Sequence, residues 1–484
     1  MCAVVRGGKD EAVPEFARTP VLAFAGAVGV VLLIASRNYG YFFDEAYFVV
    51  AGRDHLAWGY FDQPPLVPAL AAAMNAIAPG SLVVLRIPAV LAAVGGIVVT
   101  ALLARELGGG RAAQLIAAVG YAFSASVVVS HWLATYSLDP FFWTTIVWLV
   151  VRWTRVRDDR LLLVAGAVTA LSLQTKFLVP ALWVALVLCA LVFGPRALVT
   201  RPMLSAGGAV AIVATVPALL WQWRNDWPYA QMSSVVADEF PGYGRFLWDS
   251  ASGAGLLVGL PLVVVGTVAM CTLERFRPYR FVMVALLGVF FAFLMTHGRS
   301  YYVCGLYALP IAAGAVVVAS LRFRVLVAPL VAAAAVVWLA AVPVYPRSWA
   351  ERIPDTRLTL TAEAFVGADT MIGSLSDVVT DAYRSLPQDV REHTAIVAES
   401  YPFAAAVDLT RERTGLPRAY SGHRGYWYFG APPDVDTNVL YLGSPNGELA
   451  RSFSTSQVIV PDLVILYVGR TVGWGEVWPS LRAR

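Results

Sequence analysis

The chain has 484 residues, 58% of them hydrophobic and 14% charged, with a mean hydropathy of +0.65 and a formal net charge of +4. A soluble domain carries roughly 25% charged residues, so a soluble globular chain is excluded and a polytopic α-helical membrane protein is expected. The basic residues sit in short gaps beside apolar runs, where they read as topology signals; no nucleic-acid partner is expected.

In chain order, residues 1–20 form a short tail with Arg6, Lys9 and Arg18 mixed with acids. No small-residue cleavage site follows, so the first apolar run is expected to stay as a helix. Eleven apolar stretches then run from Val21 to Val344: Val21–Ser36, Val83–Ala104, Ala112–Ser130, Phe141–Val151, Leu161–Gln174, Leu178–Phe193, Leu204–Trp221, Gly255–Cys271, Phe281–Thr296, Tyr301–Leu321 and Val325–Val344. A spanning helix needs about 20 apolar residues, and several of these are short. Alternate gaps hold Arg105 and Arg111; Arg152, Arg155, Arg157 and Arg160; Arg196 and Arg201; Arg275, Arg277 and Arg280; and Arg322 and Arg324. Arginine marks the cytoplasmic side. The expected arrangement is a plasma-membrane protein with a cytoplasmic N-terminus, a transmembrane domain over 21–345 and an extracytoplasmic domain over 346–484.

The first outer gap, residues 38–82, is unlike the others. It contains Asp44-Glu45-Ala-Tyr47, then Asp62-Gln63-Pro64-Pro65. Leu66–Ala78 is apolar, short and interrupted by proline, so an interfacial helix is expected there, with another over Asp44–Trp58. A second outer gap, Gln222–Ser250, is rich in aromatics suited to anchoring at an interface. After Tyr345 the pattern changes. Thr394–Ala398, Val439–Gly443 and Leu463–Val468 read as strands and Pro402–Thr414 as a helix stopped by Gly415, which predicts a small α/β domain. The four cysteines, Cys2, Cys189, Cys271 and Cys304, all lie before that domain, and none has a metal-ligand spacing.

Carboxylates beside membrane spans usually face water or a cavity, because facing lipid costs a few kcal/mol. Asp44 and Glu45 are therefore candidates for a general base acting on an acceptor hydroxyl, against the plainer reading of solvated loop acids. Asp139 precedes Pro140 and either caps a helix or faces the same cavity. Lys176 is the single lysine outside the N-terminal tail. It either snorkels to the interface or pairs with a substrate phosphate. His297 and Arg299, just before Tyr301-Tyr302, are candidates for the same task.

These residues resemble a known group. Asp44-Glu45-Ala-Tyr47 with Asp62-Gln63-Pro64-Pro65-Leu66 is similar to the first outer loop of protein O-mannosyltransferases and lipid A aminoarabinose transferases, membrane glycosyltransferases of the GT-C class. Thr135-Tyr-Ser-Leu-Asp139-Pro140 resembles the group's second outer-loop aspartate. Leu173-Gln-Thr-Lys176 resembles its Leu-Thr-Lys turn, and Arg299-Ser-Tyr301-Tyr302 its Lys-x-Tyr-Tyr stretch. The segment Thr414–Gly430, with His423 and Tyr426-Trp427, is similar to outer domains of bacterial members. The resemblance implies transfer of a sugar from a polyprenyl-phosphate-linked donor to an acceptor of unknown kind, with inversion; no cofactor is expected, and Lys176 and Arg299 can balance the phosphate's charge without a metal. Asp44, Glu45 and Asp139 would be catalytic. Lys176, Arg299, Gln63, Tyr301 and Tyr302 would meet the donor phosphate, and Tyr47, Asp62 and His297 the substrates. Gln63 stands where some relatives carry Lys or His, and Arg299 where they carry Lys. A transporter or flippase for a lipid-linked sugar is the alternative; it would favour an inverted repeat, and none is visible in the sequence.

Overall fold

The computed structural model describes residues 13–321, 327–342, 344–350 and 360–483. Arg6, Lys9, Arg322, Arg324 and the start of the eleventh stretch at Val325 lie outside the described residues. Each of the eleven apolar stretches contains helix. Among the described residues, four helices are long and apolar enough to cross a membrane: Arg18–Ala35, Leu82–Glu106, Pro202–Arg224 and Glu274–Met295. Two bent pairs, Arg111–Ala122 with Ala125–His131 and Ser300–Leu306 with Ala308–Ala319, raise that number to six if each is one span. Arg160–Leu173 and Val179–Val192 have 14 residues each. At 1.5 Å per residue they are about 21 Å long, short of a hydrocarbon core of about 30 Å. Among the described residues, four to six helices thus have the length of a full span, fewer than the eleven apolar stretches.

Small residues let these helices close up where lipid supplies no hydrophobic drive between them. At Gly166, on Arg160–Leu173, an added methyl would lie 2.2 Å from the Cα of Gly207 on Pro202–Arg224. At Gly266, on Gly259–Thr272, it would lie 1.8 Å from the carbonyl oxygen of Pro310 on Ala308–Ala319. At one end of the bundle, buried Glu106 binds Arg152 Nη1 at 3.1 Å and Arg155 Nε at 2.6 Å, joining Leu82–Glu106 to Thr135–Val156. Those two arginines, expected as topology signals, are therefore also structural ties.

The two short helices expected in the first outer gap are present as Phe43–Asp54 and Leu66–Ile77. The aromatic gap folds into two more, Pro228–Asp238 and Tyr243–Gly253. The C-terminal region holds a five-stranded sheet, β1 Thr394–Ala398, β2 Ala419–Ser421, β3 Asn438–Leu442, β4 Phe453–Val460 and β5 Val464–Arg470, in the order β2-β1-β3-β5-β4. β1 is parallel to both neighbours, and β5 is antiparallel to β3 and β4. The helix Tyr401–Thr414 ends where Gly415 turns left-handed at φ 72°, a conformation glycine adopts without steric cost. β2, β4 and the long helix Leu360–Ser385 are absent from the sequence-based expectation.

The sheet region does not hang free. One apolar core includes Tyr47, Val50 and Leu85 from the first part of the chain, Trp132 and Leu138, and Ile372, Ala405, Leu440 and Leu466 from the last part. His55 stacks on Phe429 at 4.1 Å, and Arg53 Nη2 donates to the Asp408 carbonyl at 2.9 Å. The first outer loop is thereby clamped between the helical bundle and the C-terminal region.

Candidate active site

Asp44 and Glu45 are adjacent in the first turn of Phe43–Asp54. Successive helical residues point about 100° apart, so the two carboxylates diverge. Glu45 turns into the protein. Its Oε1 accepts from Arg86 Nε at 2.9 Å and from the Leu133 amide at 2.8 Å. Its Oε2 accepts from Arg86 Nη2 at 2.6 Å and from the Phe42 amide at 3.1 Å. Arg86 also donates to the carbonyls of Ser36 and Gly40, at 2.9 and 2.8 Å. Both side chains of this pair have 0% exposure. Glu45 therefore ties three chain segments together and has no free lone pair aimed at a substrate. It was expected beside Asp44 in catalysis, and the geometry gives it a holding position instead.

Asp44 turns the other way, into a cavity that is partly open to solvent. The lining includes Asp62 and Gln63 from the same loop, Lys176, and Arg299, Tyr301 and Tyr302. Seven of the residues singled out in the sequence, spread over some 260 positions, thus meet around one space. Burial pushes the Asp44 carboxyl above the ordinary carboxylate range; a hydrogen bond from Tyr401 and the charges of Arg424, Arg299 and Lys176 oppose it. Burial likewise pushes Asp62 up to about 6, with Arg424 opposing and Asp44 adding. Tyr47 lies just behind the lining and donates to Asp62 Oδ1 at 3.3 Å. Gln63 is buried, and its Nε2 has no hydrogen-bond partner among the described residues. A buried donor without a partner costs roughly 1–3 kcal/mol, a cost that a bound anion would remove.

Lys176 follows the helix Arg160–Leu173, and its amide donates to the Ser172 carbonyl at 2.8 Å. Its ammonium lies over the rings of Tyr301 and Tyr302, 4.6 and 4.3 Å from their centroids. It makes no ion pair with a carboxylate among the described residues, and it is buried. Snorkelling to an interface is therefore the wrong description of this side chain.

Asp139 lines a much smaller adjoining crevice together with Tyr136, Lys176, Tyr301 and Tyr302. Its Oδ1 accepts from the Ser172 hydroxyl at 3.2 Å. The helix begins at Thr135, with Pro140 inside it, so Asp139 is not an N-cap. His297 lies away from both linings. It stacks on Phe240 at 4.5 Å and meets the Tyr243 hydroxyl through Nε2 at 3.1 Å, which makes it part of the outer-loop packing rather than of the cavity wall.

Among the residues in or beside the cavity that escaped sequence reasoning, three carry or meet charge. Tyr401, at the start of its helix, donates to Asp44 Oδ1 at 2.8 Å. Arg424 lines the cavity from the C-terminal region. Glu239, just after Pro228–Asp238, accepts from Arg424 Nη2 through Oε1 at 3.0 Å and from Arg299 Nε through Oε2 at 3.1 Å. The Tyr426-Trp427 segment was the one signal pointing to this neighbourhood.

Residues 62–221 match the family model described as dolichyl-phosphate-mannose-protein mannosyltransferase. The fold is similar to that of ArnT from Cupriavidus metallidurans bound to undecaprenyl phosphate: TM-score 0.57 at 17% identity, over 93% of this chain and 98% of that one. The apo form of the same protein aligns with TM-score 0.58 at 17% identity, over 97% of this chain and 100% of that chain. The arabinofuranosyltransferase AftD from Mycobacteria gives 0.54 at 15% identity, over 94% of this chain and 40% of that larger one. No curated protein sequence matches the chain. The family model covers about a third of the chain, and the likeness to the solved structures is one of fold.

Proposed function

We propose that the protein is an integral membrane glycosyltransferase that moves a sugar from a polyprenyl-phosphate-linked donor to an acceptor on the outer face of the membrane. The observation that carries this reading is the cavity itself. Its lining brings the carboxylate of Asp44 together with Lys176, Arg299 and Gln63, whose amide nitrogen has no partner among the described residues. The undecaprenyl phosphate bound to ArnT, a protein of similar fold, supports a lipid phosphate as the occupant.

The chemistry follows from the charges. Asp44 takes the proton of the acceptor's nucleophilic group. That atom forms a bond to the anomeric carbon while the bond from this carbon to the phosphate oxygen breaks. The electron pair leaves with the polyprenyl phosphate, and the configuration inverts. Phosphate is a fair leaving group, so the protein's task is to hold positive charge where negative charge grows. Lys176 supplies a fixed ammonium, raised on the faces of two tyrosines. Asp139 lies beside Lys176 and helps to set its position. Asp62 and Tyr47 shape the wall next to Asp44. The transmembrane domain over 21–345 carries the catalytic groups, and the domain over 346–484 faces the outside.

The test is transfer by the purified full chain, given isotope-labelled polyprenyl-phosphate sugars and an envelope extract as acceptor source. Release of polyprenyl phosphate with label in a new product supports the reading. Movement of intact donor across a vesicle bilayer, with no release, would instead make the chain a flippase.

A further inference from the structure

The cavity has a wall that the resemblance does not predict. Arg424 comes from the C-terminal region, more than 120 residues beyond Arg299. Its position is firmly set. The Arg424 amide donates to the Ala483 carbonyl at 3.0 Å, and its φ is +48°. A methyl added at the neighbouring Gly425 would lie 1.9 Å from the Tyr47 hydroxyl oxygen, so this loop sits directly on the first outer loop. The guanidinium lies 5.5 Å from the Tyr401 ring centroid. Its Nη2 binds Glu239, while its buried Nε has no partner among the described residues.

Glu239 holds Arg424 with one oxygen and Arg299 with the other. A carboxylate spanning two guanidinium groups imitates what a phosphate would do there. The three differ in exposure: the side chain of Glu239 is 42% exposed, against 16% for Arg424 and 26% for Arg299. Water can therefore take up the carboxylate more readily than either cation. Arg424 also acts on both carboxylates of the cavity, favouring their charged forms.

We propose that Arg424 is a phosphate-binding residue of this cavity, and that Glu239 is an exchangeable counter-ion which the donor's phosphate displaces from Arg424 and Arg299. The proposal rests on the glycosyltransferase reading and extends its phosphate site to the C-terminal domain. It also has a kinetic rationale. A phosphodiester donor carries one negative charge, and the released monoester carries about −1.5 to −2 near pH 7. An additional cation at the phosphate thus favours the charge that develops as the bond breaks. The planar guanidinium suits this role because it can bind two phosphate oxygens at once.

The alternative is a purely mechanical one, in which Arg424–Glu239–Arg299 merely pins the C-terminal domain to the outer loops. The two accounts differ in sign. The test uses the full chain in detergent, with undecaprenyl phosphate as the probe and intrinsic fluorescence as the readout of binding. Arg424→Gln is expected to weaken binding roughly 10–100-fold, the worth of charge-assisted hydrogen bonds to a phosphate. Glu239→Gln is expected to tighten it roughly 3–10-fold, since the phosphate no longer has to break two part-exposed ion pairs. Weaker binding in both variants, or unchanged binding in Arg424→Gln, overturns the proposal. If Arg424→Gln does not fold, Glu239→Gln decides: tighter binding supports the displaced counter-ion, and equal or weaker binding refutes it. Failure of the wild-type chain to bind the probe at all would fall on the glycosyltransferase reading itself, a result separable from a failure confined to the variants.

Discussion

Glu45→Gln separates the holding role of one carboxylate from the chemical role of its neighbour. Glutamine keeps the shape of the side chain but leaves the Arg86 guanidinium charged and uncompensated, in a place with 0% exposure on both sides of the pair. Removing one partner of a buried pair costs about 3–5 kcal/mol. The entropy of unfolding scales as about 2.1 cal/mol/K per residue, so for a chain of this size the shift is roughly 1 °C per kcal/mol, or a fall of about 3–5 °C. The assay is the apparent melting temperature of purified protein in one detergent at a fixed heating rate. A companion Glu45→Gln, Arg86→Met double variant removes both charges and recovers much of the loss, because the buried cation is gone as well. Asp44→Asn in the same assay leaves the melting temperature within about 1 °C of wild type or raises it, since burial opposes the charge on Asp44. A Glu45→Gln protein that melts with wild type would refute the assignment of Glu45 to holding the loop.

Lys176→Gln is expected to lower transfer roughly 10²-fold and to weaken donor binding, with Lys176→Arg intermediate, because the ammonium balances the leaving phosphate; equal steady-state rates and donor affinities would return Lys176 to an anchoring role. Tyr401→Phe removes a hydrogen bond that favours charged Asp44, so the carboxyl rises further and the acidic limb of the pH–rate profile moves to higher pH; a limb that stays in place, or moves down, contradicts the base assignment. A single cysteine placed on the exposed tip at Val435, in a background lacking the native cysteines, is expected to react with an impermeant maleimide in intact wall-stripped cells; labelling only after lysis would put the C-terminal domain in the cytoplasm.

The helices were legible because their apolar runs are long and their arginine-rich gaps are short. Span number was less so, since stretches such as Arg160–Leu173 are helical without the length to cross alone. The cavity was legible where the chemistry is concentrated in a motif, as in Asp62-Gln63-Pro64-Pro65, or in a rare residue, as with Lys176. Adjacency misled at Asp44-Glu45. Two neighbouring acids look like one unit in a sequence, yet a helix turns them to opposite tasks, and only the position of Arg86, 41 residues away, decides which is which. Tyr401 and Arg424 were out of reach for a different reason. The hydrogen bond from Tyr401 to Asp44 joins residues 357 positions apart, and no local pattern in the C-terminal α/β region marks a side chain that faces a cavity built largely by the helical part of the chain. His297 shows the converse: a histidine beside a cavity motif whose ring is used by Phe240 and Tyr243.

The central claim is that Asp44 accepts a proton from the acceptor in a transfer from a polyprenyl-phosphate-linked donor. The most direct measurement is single-turnover release of polyprenyl phosphate from labelled donor by purified wild type and Asp44→Asn, with donor binding measured in parallel. Asparagine keeps the size of the side chain but cannot take the proton. The account predicts donor binding within a few-fold of wild type and a rate lower by roughly 10²-fold or more. A rate near that of wild type in the well-folded Asp44→Asn protein would contradict it.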